Sequence, residues 1–143
     1  MDSYRDLRIY HDSRALANEV HVMSLTLPKF ELYETGSQIR RSSKSVTVMI
    51  VEGFARRRYK KDFVKYLVYS IAECDETLVH LDFLYDTQSL KDKQRYEELR
   101  TRFVQLSKKI NTYTQWVEDK FICNPKRNQA NWPSYLVTKQ PTA

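Results

Sequence analysis

The stretch that decides the fold is QIRRSSKSVTVMIVEGFARRRYKK, residues 38–61. Its small and apolar residues recur every three or four positions, at Ile39, Ser43, Val46, Ile50 and Gly53. That period is helical, and no strand-like alternation competes with it. A second apolar line, Val48, Val51 and Ala55, lies roughly 100° or more around the same helix. A helix on the outside of a monomeric bundle needs only one apolar stripe. The second line therefore predicts cover from another subunit. Ser42, Ser43, Ser45 and Gly53 are small and would let a partner helix come close. Glycine inside a helix costs about 1 kcal/mol relative to alanine, so Gly53 calls for a packing reason. Glu52 lies between the two lines, and a carboxylate there needs an ion pair or hydrogen bonds. An arginine across the bundle or from a neighbouring subunit is the expected partner; the plainer reading turns Glu52 out to water.

Outward from this segment the same period continues. Ile9, Leu16, Val20, Met23 and Leu27 mark an earlier helix. Phe63, Leu67, Ser70, Cys74, Leu78, Leu81 and Leu84 or Tyr85 mark a later one, and Tyr96, Leu99, Phe103, Leu106, Ile110, Tyr113, Val117 and Phe121 the last. Pro28, the Arg56–Tyr59 joint, Asp86–Ser89 and Pro125 punctuate the pattern. The expected helices are 5–26, 32–57, 60–87 and 91–122. Two glycines and four prolines are too few for the turns of a sheet protein. Short connections between long helices predict an all-α, antiparallel, up-down-up-down four-helix bundle over residues 1–123. Residues 124–143 form an irregular C-terminal tail whose Trp132, Tyr135, Leu136 and Val137 are expected to dock on this subunit or a neighbour.

Charge is concentrated in the same segment. Residues 40–61 carry Arg40, Arg41, Lys44, Arg56, Arg57, Arg58, Lys60 and Lys61 against Glu52 alone, a surplus of seven in a chain of net charge +6. Clustered cations suit phosphate binding through counterion release, and Tyr59 among them could stack on a base. The competing reading is structural: Arg56–Arg58 close a helix where cations complement the dipole, and Arg40 or Arg41 pairs with an acid such as Glu52. Nothing points to base-specific recognition. Cys74 and Cys123 show no metal-ligand spacing, and so low a cysteine content suits a reducing compartment. The N-terminus has no apolar leader and the longest apolar run is Val48–Val51, far below the ~20 residues of a membrane span. A cytoplasmic protein without membrane attachment is expected.

The run L27-P-K-F-E31, Q38-I-R-R-S42, S45-V46 and I50-V51-E52-G53, followed by D62-F63 and E76-T-L78, resembles the four-helix bundle proteins encoded in intervening sequences of bacterial 23S ribosomal RNA genes. The resemblance covers about residues 5–120 and is most specific over 38–53. Thr47, Met49 and Val51 stand where that family usually has proline, asparagine and alanine. The resemblance implies a cyclic homo-oligomer, a homopentamer in known relatives, with no recognised enzymatic activity. A more distant resemblance in fold is to the accessory proteins of diversity-generating retroelements, positively charged barrels that bind a reverse transcriptase and nucleic acid.

The sequence also contains fragments of enzymatic sites. Glu73, Glu76 and His80 fall one turn apart, but they supply only fragments of a ferritin-like carboxylate site, and a solvated face is the simpler assignment. Arg14 and His21, seven residues apart on one face, resemble the Arg–His pair of HEPN-type ribonucleases, in which such a pair binds phosphate and moves a proton. That spacing arises easily by chance. The expectation is a non-enzymatic assembly module without metal, cofactor or small-molecule substrate. Its partners are copies of itself and RNA or DNA; the alternative is a protein-interaction scaffold that binds no nucleic acid.

Overall fold

The computed structural model describes residues 3–122 and 132–138. It is all-α: α1 spans Arg8–Ser24, α2 Thr35–Ala55, α3 Lys60–Asp86 and α4 Lys93–Lys120, with short 3₁₀ turns at Tyr4–Asp6, Lys29–Leu32 and Ser134–Leu136. No described helix is long and apolar enough to cross a membrane.

Each expected helix is present, with shorter ends that have local causes. α1 starts at Arg8 because Leu7 is extended and forms an isolated β-bridge with Val137 of the tail. The expected 32–57 helix begins at Thr35. There the Glu31 carboxylate accepts the Gly36 N–H at 2.9 Å, meeting one of the donors that a helix start leaves open. A side chain at Gly36 would stand 2.4 Å from the Glu31 carbonyl oxygen, so the turn demands glycine. α4 begins one residue after Asp92, whose side chain accepts the Arg95 N–H at 3.1 Å. The chain reverses after α3 through Gln88, at φ 65°.

α2 packs most extensively on α3, and α1 and α4 complete the square. Contacts run in opposite directions along each neighbouring pair. Between α2 and α3, Ser42 meets the Thr77 hydroxyl at 2.8 Å, while Gly53 lies against Phe63 and Tyr66. Between α1 and α2, Thr47 donates to Ser13 at 2.9 Å and Arg40 to Ser24 at 3.1 Å. Tyr85 stacks on Tyr96 with centroids 4.2 Å apart, and Phe63 meets Phe121 at 5.4 Å. Lys109–Asp12 and Arg102–Glu19 join α4 to α1.

The core is aliphatic along most of its length, with Leu7, Ile39, Ile50, Leu67, Leu81, Leu99 and Ile110 among its buried side chains. Towards the α2–α3 connection it turns aromatic. Phe54, Phe63, Tyr113, Trp116 and Phe121 pack there, and Trp132 of the tail covers Phe54, Tyr113, Trp116 and Phe121 with centroids 4.9–6.2 Å away. The described part of the tail, residues 132–138, therefore docks on its own chain. Leu136 and Val137 are buried and Tyr135 stays exposed. Burial pushes the Tyr113 hydroxyl well above the usual tyrosine range, with the Arg57 charge opposing. Cys74 is a free buried thiol, pushed up to about 12 by burial and by the neighbouring charges of Asp75 and Glu73. Cys123 and Pro125 lie outside the described residues.

Candidate nucleic-acid and assembly surfaces

The eight cations contiguous in sequence are not contiguous in space. Arg40, Arg41 and Lys44 sit in the first half of α2, whereas Arg56–Arg58 lie in the α2–α3 connection and Lys60 and Lys61 open α3. Arg56 stands fifteen positions after Arg41, roughly 22 Å along a helix axis. One expected patch becomes two.

In the first group Arg40 is half-buried, whereas Arg41 and Lys44 are exposed. Arg40 donates to the Ser24 hydroxyl at 3.1 Å and to the Leu32 carbonyl at 2.8 Å. It thereby ties α2 to the end of α1 and to the turn that follows. Lys44 is exposed but shares a hydrogen bond with His21 Nδ1 at 3.2 Å. Arg41 is exposed, and no described acid pairs with it.

The second group has a graded exposure. Arg56 donates to the Glu52 carbonyl at 3.1 Å while its guanidinium lies 4.3 Å from the Tyr66 ring centroid. Arg57 does the same with the Phe54 carbonyl at 3.0 Å and the Phe54 ring at 4.1 Å. Both cap the last turn of α2, where carbonyls lack partners, and both use aromatic faces that attract cations. Arg58, Lys60 and Lys61 are exposed, as is Tyr59, over whose ring Arg58 sits at 5.8 Å. Lys65, one turn into α3, is exposed too and lies 5.8 Å from the Tyr69 ring. It belongs to this surface and was not singled out from the sequence, although its place one turn after Lys61 was the available signal.

The expected interface residues also divide. Ser42 is buried and hydrogen-bonded to Thr77. Gly53 is buried, and a Cβ there would lie 3.2 Å from Tyr66 Cβ and 3.3 Å from the Phe63 carbonyl oxygen. Their small size therefore serves the approach of α3 within the chain. Val51 is half-buried against the core. Val48, at 48% exposure, and Ala55 remain outside, with Ser45 and Glu52 half-buried. No described cation pairs with the Glu52 carboxylate; Arg56 takes its backbone oxygen instead. The buried carboxylate is Glu31, held by Gly36 N–H and by the Ser89 hydroxyl at 2.7 Å.

α3 adds an apolar ridge. Val68, Ala72, Val79 and Phe83 are exposed at positions i, i+4, i+11 and i+15 of one face, with Val68 at 49%, Val79 at 51% and Phe83 at 56%. That spacing was present in the sequence, masked by the stronger buried stripe of the same helix. At the end where α1 leads into α2, Val22, Leu25, Phe30, Leu32 and Tyr33 are exposed as well.

The residues of the enzymatic readings are placed as follows. Arg14 is exposed on α1, and His21, half-buried, meets Lys44. His80 Nε2 lies 3.2 Å from Glu76 Oε1. Glu73 is raised above the usual carboxylate range by partial burial, by the Glu76 charge and by a hydrogen bond with Glu76. Among the described residues no group of three potential ligands is placed to hold a metal ion.

A solved structure from Bacteroides thetaiotaomicron, a protein of unknown function from the S23 ribosomal protein family, superposes with a TM-score of 0.67 at 19% identity, covering 75% of this chain and 98% of that one. That likeness is one of fold. No curated protein matches the chain. The sequence profile described as 23S rRNA-intervening sequence protein matches residues 5–112, and the chain belongs to that family.

Proposed function

We propose that the chain is a non-catalytic assembly module, an up-down-up-down bundle whose copies join through the outer faces of α2 and α3 and whose α2–α3 connection binds nucleic-acid phosphates. The opposed contact directions along each helix pair support the bundle topology. The carrying observation is that Val48, Val68, Val79 and Phe83, each about half exposed, line two adjacent helices that end in the exposed Arg58, Lys60 and Lys61. Burying such apolar surface between copies is favourable at roughly 25 cal/mol per Å². A closed ring, a homopentamer by family resemblance, would repeat the basic connection around one rim, so weak contacts with a cytoplasmic RNA or DNA would reinforce one another.

The test of the nucleic-acid half is fluorescence anisotropy of a labelled single-stranded RNA across a salt series. The native chain should bind with an affinity that falls steeply with salt. Arg58→Ala, Lys60→Ala and Lys61→Ala together should flatten the log–log slope by roughly 2, the loss of three single-strand phosphate contacts. No binding at low salt would leave the protein-interaction scaffold.

A further inference from the structure

A separate cleft opens between the start of α1, residues 108–112 of α4 and the tail, with a volume of about 600 Å³. Its wall includes Arg8, Lys108 and Lys109, the apolar Ile9 and Leu136, and the rim residue Tyr135. We propose that this cleft binds a free 5′-nucleotide, a planar heteroaromatic ring carrying a phosphate.

Four observations converge. The volume lies within the range of small-ligand sites, roughly 300–1,000 Å³. Three cations share the opening with one acid, Asp12, which Lys109 already neutralises at 3.0 Å. Lys108 and Arg8 have no carboxylate partner among the described residues, and Arg8 uses only its Nε, on the Val137 carbonyl at 3.0 Å. Its terminal guanidinium nitrogens and the Lys108 ammonium remain for an anion, whose charge would relieve their mutual repulsion. Tyr135, 57% exposed beside buried Leu136, offers a ring face of the kind on which bases stack.

The cleft is also held in shape. Thr138 N–H donates to the Asp6 carbonyl at 2.8 Å, and Leu7 bridges Val137, so the tail wall is fixed to the start of α1. That wall, residues 135–138, lies beyond the matched family segment, which ends at 112. The cations Arg8, Lys108 and Lys109 lie within that segment, so the cleft joins the matched bundle to a wall from outside it.

The experiment is a titration of the full chain with adenosine 5′-monophosphate, followed by calorimetry and by NMR of the tyrosine rings. Adenosine and inorganic phosphate serve as comparators. Saturable binding is expected, with each comparator at least about tenfold weaker because it makes only one of the two contacts. Lys108→Ala and Tyr135→Ala should each weaken binding at least about fivefold, Tyr135→Phe should keep it, and Arg58→Ala, at the α2–α3 connection, should leave it unchanged. Both truncated side chains are exposed, and an unaltered melting curve establishes that each variant is folded. No saturable binding at millimolar nucleotide would overturn the proposal, as would affinity unaffected by both alanine variants. So would Tyr135 perturbation by a single-stranded RNA but not by the mononucleotide.

Discussion

At the end where the α1–α2 and α3–α4 connections meet, charge is turned inward. Glu31 is buried between Gly36 and Ser89, and Arg40 is hydrogen-bonded to Ser24 and Leu32. The apolar Phe30, Leu32 and Tyr33 face out. At the other end the arrangement is reversed. An aromatic cluster of Phe54, Phe63, Tyr113, Phe121 and Trp132 fills the interior, and Arg58, Lys60 and Lys61 stand in water. The difference teaches that a basic residue's role follows from what surrounds it. Arg40 and Arg58 belong to one charge cluster in sequence. In the fold, the first is a structural hydrogen-bond donor and the second a free surface cation.

This contrast breaks most visibly at the aromatic end. Phe63→Ala should cost about 3–5 kcal/mol, because Phe63 is fully buried and meets Phe54, Tyr113 and Phe121. Urea unfolding measures it, and a loss below about 1 kcal/mol would mean that the cluster is not packed as described. Next comes Glu31→Ala, which leaves the Gly36 N–H and Ser89 hydroxyl without their acceptor and should cost about 1–3 kcal/mol. The cost should largely persist in high salt, since the hydrogen bonds are buried and poorly screened.

The sharpest internal control is Arg40→Ala against Arg58→Ala. The first should lose about 1–2 kcal/mol of stability with the salt slope of RNA binding unchanged. The second should stay within about 0.5 kcal/mol yet reduce that slope. Equal effects of the two substitutions in both assays would erase the distinction between the ends.

The smallest expected effect is at Glu73. Its folded-state pKa is raised, by partial burial first and then by Glu76. Folding therefore favours its protonated form, and the associated stability is lost as pH rises from the ordinary carboxylate value through the raised one. Glu73→Gln should accordingly raise the melting temperature at pH 7 and do little at pH 4. The group is only partly buried, so the gain should remain under about 0.5 kcal/mol. A larger gain at pH 4 than at pH 7 would reverse the assigned direction.

The helices were legible because a buried stripe imposes its period on the sequence. Ile39, Val46 and Ile50 or Leu99, Phe103 and Ile110 cannot leave the core without changing face. What pairs across long separations was not legible. Leu7 is extended because Val137 meets it, 130 positions later, and no local signal carries that. The burial of Glu31 had no local signal either, since its partners are a backbone N–H and a serine 58 positions away. Gly53 and Ser42 signalled close approach correctly, but a helix wheel does not say whether the approaching helix belongs to the same chain. Here it is α3. The charge cluster divides for a related reason: a helix separates the two ends of a sequence that reads as continuous.

The central claim, that the outer faces of α2 and α3 join copies of the chain, meets its most direct test in multi-angle light scattering at micromolar concentration. The account predicts a native mass of several chains, five if the family resemblance extends to assembly, falling to the 17.1 kDa of one chain when Val48→Glu and Phe83→Glu are combined. A native protein that scatters as a single 17.1 kDa chain would contradict it.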